Sequence, residues 1–388
     1  MTTRASTADK ADLGAVVRPG DAIVAGQACA EPATLLELLV AQREALSGCR
    51  LFLGSSYSGV VKPECADHLR LASYCGTGTN RALADAGVLD ILPAPYSRLG
   101  ALLRTRQLPC DVVFVQVSPP NGRGEYSLGL AVEYLAPALE VCRAVVAEVN
   151  DQVPWTHTQP LLREGDLDLA VETSRAPVTL DQGRPKDNDL RIARFAAELV
   201  PDGATIECGI GALPNAVVAA LNGKARLRYH SGLVCDATVD LALDACLGGA
   251  LIGSPRLFEW ARENPLVQLR SSDITHGASD LAGIERFVAI NSAVEVDTTG
   301  QVNGEMARGS YIGAVGGALD FVRAANQSRG GLSIVVLPAA RVVEQLSGPV
   351  SLPRSEAAVF VTELGVADLR GCTLIERVRR MRKISGRS

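Results

Sequence analysis

Short apolar strands alternate with helices along most of this chain, and this alternation limits the fold more than any other feature. The segment CDVVFVQVSPP (110–120) is a run of β-branched residues that a double proline ends, which is typical of a buried strand. A helical pattern (130–142) and a further strand pattern (143–150) follow it. Strand–helix–strand units build parallel sheets with helices on their faces. The sequence therefore predicts an α/β protein with mainly parallel sheets.

A polar segment separates two regions of alternation. SRAPVTLDQGRPKDNDL (174–190) is rich in Pro, Asp and Gly, a composition typical of a domain junction. A chain of 388 residues is long enough for about two or three domains. We therefore expect an N-terminal α/β domain over residues 1–185 and a C-terminal α/β domain over residues 186–388.

Charge and hydropathy exclude several classes of partner. The net charge of −5 provides no basic field for nucleic acid or for an anionic membrane surface. No run approaches the ~18 apolar residues of a membrane span, and the polar start MTTRASTADKADLG carries no apolar signal segment. We expect no nucleic-acid or membrane partner, and a cytoplasmic location.

The cysteines and histidines give no support for a metal site. The chain has 10 cysteines and 4 histidines, but neither a CxxC pair nor an HExxH motif occurs. Scattered cysteines in apolar surroundings are more typical of buried free thiols than of zinc ligands. No metal is therefore expected.

Four glycine-bearing loops follow predicted strands, where open α/β sheets place their ligands. They span Gly209–Val217, Gly313–Phe321, Glu363–Gly371 and Ser118–Gly129. Backbone N–H groups in such loops can face a phosphate or a developing oxyanion, although tight packing of a strand on a helix explains such a loop equally well. The first loop reads GxGxxP rather than the GxGxxG dinucleotide fingerprint, which counts against a nicotinamide-dependent oxidoreductase.

One carboxylate interrupts an apolar strand pattern. Glu295 lies between Val294 and Val296 within FVAINSAVEVDTTGQVNGE (287–305). A carboxylate in such surroundings costs free energy unless it is paired or used. Glu295 is either the solvent-facing member of an alternating strand or an active-site acid, and the pattern alone favours the first.

Six segments, in order, resemble motifs of the acetyl-CoA hydrolase/transferase family, which includes 4-hydroxybutyrate CoA-transferase and succinyl-CoA:acetate CoA-transferase. The resemblance runs from about residue 20 to 380. It implies two α/β domains of the NagB/RpiA/CoA-transferase-like fold and a homodimer. The segments are DVVFVQVSPPNGRGEYSLG, VVAEVNDQVP, DGATIECGIGALPNAV, INSAVEVDTTGQVNGE, GAVGGALDF and VTELGVADLRG.

The resemblance also implies a ping-pong reaction. A glutamate carboxylate attacks an acyl-CoA thioester to give a mixed anhydride, which CoA thiolate converts to a glutamyl-CoA thioester; an acceptor acid then reverses these steps. CoA and acyl-CoA are substrates here, a small carboxylic acid is the second partner, and no permanently bound cofactor is expected. Two alternatives stay open: an acyl-CoA hydrolase, in which water accepts the acyl group, and a non-catalytic CoA-binding protein.

Several site residues follow from the match to family motifs. Backbone N–H groups of Val217, Gly316 and Gly317 resemble the family's oxyanion donors, Gly317 is also expected to contact CoA, and Asn291 resembles an asparagine that assists at the active site. The family's CoA-binding loop corresponds here to Gly211, Ala212, Leu213, Pro214 and Asn215.

The chain departs from the family at the nucleophile. Many members read His-Thr-Glu-Met or a similar stretch after the glycine loop, and the resemblance implies that this glutamate is their nucleophile. Here the stretch is His230-Ser231-Gly232-Leu233, so the carboxylate is missing. Glu295, within the well-matched INSAVEV segment, is the substitute candidate, and Gly232 is the reason to keep the non-catalytic alternative.

Overall fold

The computed structural model describes residues 4–7, 10–181 and 183–386. The chain divides into two compact units, one of residues 1–180 with 249–273 and one of residues 181–248 with 274–388. The first division, at residue 180, lies close to the predicted boundary at 185. The return of 249–273 to the first unit was not anticipated. It depends on long-range pairing, such as that of Ala250 with Ala131, which no local pattern reveals.

The first unit contains a sheet whose strands are all parallel, in the order β1-β11-β8-β6-β2-β3-β4-β5. Its central strand β6 (Val112–Val117) is buried throughout, which explains its continuous apolar sequence. The other strands of this unit are β1 (Arg4–Thr7), β2 (Ala22–Ala25), β3 (Arg50–Leu53), β4 (Arg70–Ser73), β5 (Leu89–Ile91), β7 (Glu125–Tyr126), β8 (Ala144–Asn150), β9 (His157–Thr158), β10 (Leu162–Arg163), β11 (Leu169–Thr173), β16 (Ala250–Leu251) and β17 (Val267–Leu269).

Helices of the first unit follow its strands as predicted. Leu35, Leu36 and Leu39 of α1 are fully buried in the apolar core. The helix expected over 130–142 begins only at Leu135, because Glu133 adopts a left-handed conformation with φ of 41°. The helices are α1 (Ala33–Ala41), α2 (Asn80–Asp85), α3 (Leu99–Arg104), α4 (Leu135–Val141) and α7 (Pro255–Ala261).

The second unit has its own sheet, in which the strands run in the order β26-β25-β23-β18-β12-β13-β15. All neighbours are parallel except the edge pair β25–β26. A small sheet, β20-β19-β24, accompanies it. The strands are β12 (Thr205–Cys208), β13 (Leu227–His230), β14 (Leu233–Val234), β15 (Leu243–Gly248), β18 (Phe287–Ser292), β19 (Glu295–Asp297), β20 (Val302–Asn303), β21 (Met306–Ala307), β22 (Ser310–Tyr311), β23 (Leu332–Val336), β24 (Val342–Val343), β25 (Val359–Thr362) and β26 (Gly365–Asp368).

Helices cover the second sheet, and aromatic rings fill the layer between them. Phe321 on α10 packs against Phe287 on β18. The helices are α5 (Asp187–Glu198), α6 (Ala212–Ala219), α9 (Ala278–Ala282), α10 (Ala318–Gln327) and α11 (Leu374–Ser385), and the short α8 (Ser272–Thr275) spans the division between the units. The predicted α/β class with mainly parallel sheets is thus confirmed.

Two kinds of feature are absent from residues 4–7, 10–181 and 183–386. None of the helices there has the length and the apolar character that a membrane span needs. The same part of the chain holds no group of three or more His, Cys, Asp or Glu side chains that could bind a metal ion.

Candidate active site

The carboxyl ends of four parallel strands lie at one edge of the second unit's sheet. These strands end at Cys208, His230, Ser292 and Val336, and the loops that follow them are where α/β sheets bind ligands. A cavity of about 330 Å³ opens there, lined by Gly211 to Pro214, Ser292 to Val294 and Val336. The glycine loop predicted from sequence therefore borders a cavity.

The glycine loop begins α6. Gly211 has a φ of 125°, a conformation that side chains rarely adopt, and the first-turn N–H groups of the helix lack intrahelical partners. Gly211, Ala212, Leu213 and Pro214 line the cavity. Asn215 is not among the lining residues; its Oδ1 accepts a hydrogen bond of 3.3 Å from the Ala237 N–H.

The predicted oxyanion donors lie in two different environments. Val217 is buried in the second turn of α6, where an α-helix directs each N–H at the carbonyl four residues earlier. Gly316 (φ of 59°) and Gly317 precede α10, with Gly317 as its N-cap residue. The Gly316–Gly317 turn therefore remains the better candidate for donors that a ligand can reach.

An imidazole packs against both Gly317 and Gly232. A side chain at Gly317 would place its Cβ 2.6 Å from His276 Cδ2, and one at Gly232 would place its Cβ 2.8 Å from His276 Cε1. His276 is buried, its Nδ1 lies 2.8 Å from Thr275 Oγ1, and its ring lies 4.5 Å from that of Phe321. Burial, with a smaller effect of His230, lowers the pKa of His276 to about 3, so the imidazole is uncharged. Sequence reasoning missed this residue.

The glycine contacts give a stability prediction. We expect Gly317→Ala to lower the free energy of unfolding by about 2 kcal/mol, because its Cβ overlaps the His276 ring. Gly316→Ala is the matched control: its nearest neighbour, Ala314 Cβ, is 3.8 Å away, so only the left-handed backbone costs about 1 kcal/mol. Denaturant unfolding measures both variants. An equal loss of unfolding free energy in both variants would contradict this packing. So would a Gly317→Ala/His276→Ala double variant that regains none of the stability lost in Gly317→Ala.

Glu295 is buried and firmly held. It lies on β19 with 8% of its surface exposed, so the interpretation as a solvent-facing strand residue is wrong. Its Oε1 accepts hydrogen bonds from Asn303 Nδ2 (3.0 Å), from the N–H (2.6 Å) and Oγ (2.9 Å) of Ser347, and from the Gly348 N–H (3.2 Å). Burial opposes ionisation, but these donors outweigh it and lower the pKa of Glu295. The carboxylate is therefore charged at neutral pH.

Glu295 is next to the cavity along the chain but is not one of its lining residues, whereas Ala293 and Val294 are. Asn291, four residues earlier, is not among the hydrogen-bond donors to Glu295. It donates from Nδ2 to Glu207 Oε2 at 2.8 Å. The structure therefore pairs the two predicted polar residues of this segment with different partners.

Glu207 is a second buried carboxyl group at this edge. It lies on β12, two residues before Gly209, and is 2% exposed. Burial raises the pKa of Glu207 to about 8 despite the hydrogen bond from Asn291. Glu207 is not among the site residues predicted from the sequence. Its signature, a carboxylate within the apolar strand TIEC, is the same one that drew attention to Glu295.

Comparison with protein-family models gives two matches. The acetyl-CoA hydrolase/transferase N-terminal domain matches residues 7–175, and the acetyl-CoA hydrolase/transferase C-terminal domain matches residues 253–386.

Individual relatives extend over nearly the whole chain. The 4-hydroxybutyrate coenzyme A transferase of Clostridium kluyveri is 30% identical over 94% of this chain and 90% of its own length. RipA from Yersinia pestis superposes with a TM-score of 0.91 at 25% identity, covering 98% of this chain and 94% of that one. The 4-hydroxybutyrate CoA-transferase of Porphyromonas gingivalis superposes with a TM-score of 0.81 at 28% identity, with the same coverage.

Proposed function

This chain belongs to the acetyl-CoA hydrolase/transferase family, and on that basis we propose that it moves CoA between an acyl-CoA and a small carboxylic acid through a glutamyl-CoA thioester. The observation that carries this proposal is the cavity at the carboxyl edge of the second unit's sheet, which Gly211 to Pro214 border. Backbone N–H groups in the first turn of α6 are suited to phosphate or carbonyl oxygens of a ligand.

The proposed nucleophile is Glu295. Its carboxylate attacks the thioester carbonyl carbon, the C–S bond breaks, and CoA leaves as thiolate, which gives a mixed anhydride. The thiolate then attacks the glutamyl carbonyl and releases the first acid as its carboxylate. An acceptor carboxylate attacks the resulting glutamyl-CoA thioester and repeats the two steps in reverse, without net proton transfer.

Hydrogen bonding at Glu295 supports this role. Oε1 takes all four hydrogen bonds, while Oε2 accepts none from the residues that the structure describes. The carboxylate is thereby fixed in one orientation, with Oε2 as the attacking oxygen. Its lowered pKa keeps it ionised at neutral pH. Attack requires the thioester carbon to come within about 3.5 Å of Oε2.

We assign the Gly316–Gly317 turn the role of stabilising the tetrahedral oxyanion. Both residues precede α10, where backbone N–H groups are not used by the helix. Donors fixed in a turn need little reorganisation as charge develops, which is why they stabilise a transition state effectively. Asn291 is proposed to assist as a polar side chain at the same sheet edge. Val217 has no part in this proposal, because its N–H lies within a helix.

A second candidate is acyl-CoA hydrolysis or binding without a glutamyl intermediate. Two observations favour it: residue 232 carries no side chain and packs against His276, and Glu295 lies outside the cavity lining. In a hydrolase, water attacks the thioester carbonyl directly and the acid and CoA are both released.

Exchange kinetics separate these functions. We expect labelled acetate, propionate or succinate to exchange into its own acyl-CoA in the absence of any second acid, because the first half of a ping-pong reaction is reversible alone. Double-reciprocal plots should be parallel. CoA release without an acceptor would identify a hydrolase, whereas acyl-CoA binding with neither exchange nor release would identify a binding protein.

We also propose that the protein is a homodimer that acts in the cytoplasm and requires no metal or permanently bound cofactor. The family resemblance supports the assembly, and light scattering in solution measures it. If neither a metal nor a bound cofactor is required, the protein should keep full activity after chelator treatment and dialysis.

A further inference from the structure

A buried carboxyl–amide pair lies below the glycine loop. Glu207 lies inside β12, opposite Ala289 of β18, and is 2% exposed. Asn291 is 7% exposed and donates to Glu207 Oε2 at 2.8 Å. The residue after Asn291, Ser292, lines the cavity. The buried Glu207–Asn291 pair therefore lies next to a residue that lines the proposed site.

This pairing determines which way the Asn291 amide faces. Because Nδ2 is held by Glu207, Oδ1 lies on the other side, 3.2 Å from the position that a Cβ at Gly209 would occupy. Within the described residues, Oδ1 accepts no hydrogen bond. A side chain at residue 209 would crowd this oxygen, and the glycine leaves it open. Asn291 Oδ1 is therefore a hydrogen-bond acceptor that lies beside the backbone of the glycine loop.

We propose that Glu207 is a positioning residue for the acyl-CoA reaction, which holds the Asn291 amide so that Oδ1 faces the glycine loop. This inference rests on the proposed function, since Asn291 is assigned to the site on family resemblance. The role of Glu207 in this proposal is to orient Asn291. Glu207 itself is too deeply buried to touch a ligand.

The protonation state of Glu207 makes its role pH-dependent. With a pKa raised by burial to about 8, it is an uncharged acid at neutral pH and an anion at pH 9. A buried negative charge beside Asn291 would disfavour the anionic carboxylate and the oxyanion of the reaction. For two unit charges ~10 Å apart at an effective dielectric constant of ~20, Coulomb's law gives a rate effect on the order of tenfold.

The titratable groups packed around Glu207 do not change charge over the same range. On β12 and β13, burial raises the pKa values of Cys208 and Tyr229 well above their usual range, so both stay neutral. Elsewhere in the second unit, burial lowers the pKa of His230, and His276 is likewise neutral, with a pKa of about 3. The helix α6, which packs on β12, carries no titratable side chain.

Glu207→Gln tests the proposal, because glutamine has the hydrogen-bonding groups of the protonated acid but does not ionise. We expect kcat/KM of the wild-type protein to fall about tenfold between pH 7 and pH 9.5, and that of Glu207→Gln to stay flat and within about threefold of the wild-type value at pH 7. Glu207→Leu, which cannot hold the amide, should lower kcat at every pH. Adding Asn291→Ala to it should cost nothing more, because both changes remove the same interaction.

A measurement that needs no turnover accompanies the rates. The side-chain NH₂ resonances of Asn291 should shift with a midpoint near pH 8 in the wild-type protein and not in Glu207→Gln. An alkaline fall that persists in Glu207→Gln, additive losses in the double variant, or resonances that do not titrate would overturn the proposal. If no acyl-CoA is turned over at all, the proposed function fails, while the resonances still decide whether the pair exists.

The same titration links Glu207 to folding. Its pKa is about 8 in the folded chain and close to the ordinary value of about 4.3 in the unfolded chain. A raised folded pKa contributes stability that is complete below the unfolded pKa and is lost as pH rises through the folded one. We therefore expect the melting temperature of the wild-type protein, relative to Glu207→Gln, to fall between pH 4.5 and pH 8. A constant difference would contradict the raised pKa.

Discussion

Replacing Glu295 by glutamine is expected to lower the rate of CoA transfer by at least about 10³-fold, equivalent to about 4 kcal/mol. The amide is a poor nucleophile and forms no anhydride. Its oxygen can still accept the hydrogen bonds of Asn303, Ser347 and Gly348, so the fold and the affinity for acyl-CoA should persist. Steady-state kinetics and calorimetric titration with acyl-CoA measure the two effects separately.

Two further variants control for this change. Glu305 is also buried, at 5% exposure, and accepts hydrogen bonds from Tyr311 and Ser351. Glu305→Gln removes a comparable carboxylate from the same unit and should keep the transfer rate. Glu295→Asp retracts the carboxylate by one methylene and should lose about 10²-fold. Normal turnover in Glu295→Gln would remove Glu295 from the mechanism.

Introducing a carboxylate at position 232 should destabilise the protein strongly. The Cβ of Gly232→Glu would lie 2.8 Å from His276 Cε1 and 2.9 Å from His276 Nε2, although residue 232 itself is only half-buried. Overpacking against the imidazole is expected to cost about 3 kcal/mol. Denaturant unfolding gives the loss directly.

The double variant Gly232→Glu/His276→Ala makes this prediction specific. Removing the imidazole opens the space that the new side chain needs, so most of the lost stability should return. His276→Ala alone is the control. If Glu295 proves idle, the double variant is expected to gain CoA transfer that the wild-type protein lacks. A loss in Gly232→Glu that His276→Ala does not relieve would show that another contact is responsible.

The alternation of strands and helices was predictable because central parallel strands are apolar on both faces. Val112–Val117 and Ala144–Asn150 read as strands for that reason, and both are present. The glycine loop at Gly211 was also placed correctly at a strand end. Local sequence carries this information because each feature involves only neighbouring residues.

Other features depend on contacts between distant residues and escaped prediction. His276 follows a short helix with no motif, and only tertiary packing brings its ring against Gly232 and Gly317. Glu207 gave the same pattern as Glu295, yet its significance depends on the hydrogen bond to Asn291, 84 residues away. Val217 matched a family motif, and a helix was predicted to follow the glycine loop, but the pattern did not fix where that helix begins; α6 starts at Ala212 and includes Val217.

Peptide mass spectrometry can locate a covalent intermediate on Glu295. The protein is mixed separately with acetyl-CoA, propionyl-CoA and succinyl-CoA, treated with borohydride to trap a glutamyl thioester, digested and mapped. We expect a CoA adduct or a reduced side chain on the peptide that contains Glu295, and neither of them in Glu295→Gln. Binding of acyl-CoA without any adduct, or an adduct on a different peptide, would contradict it.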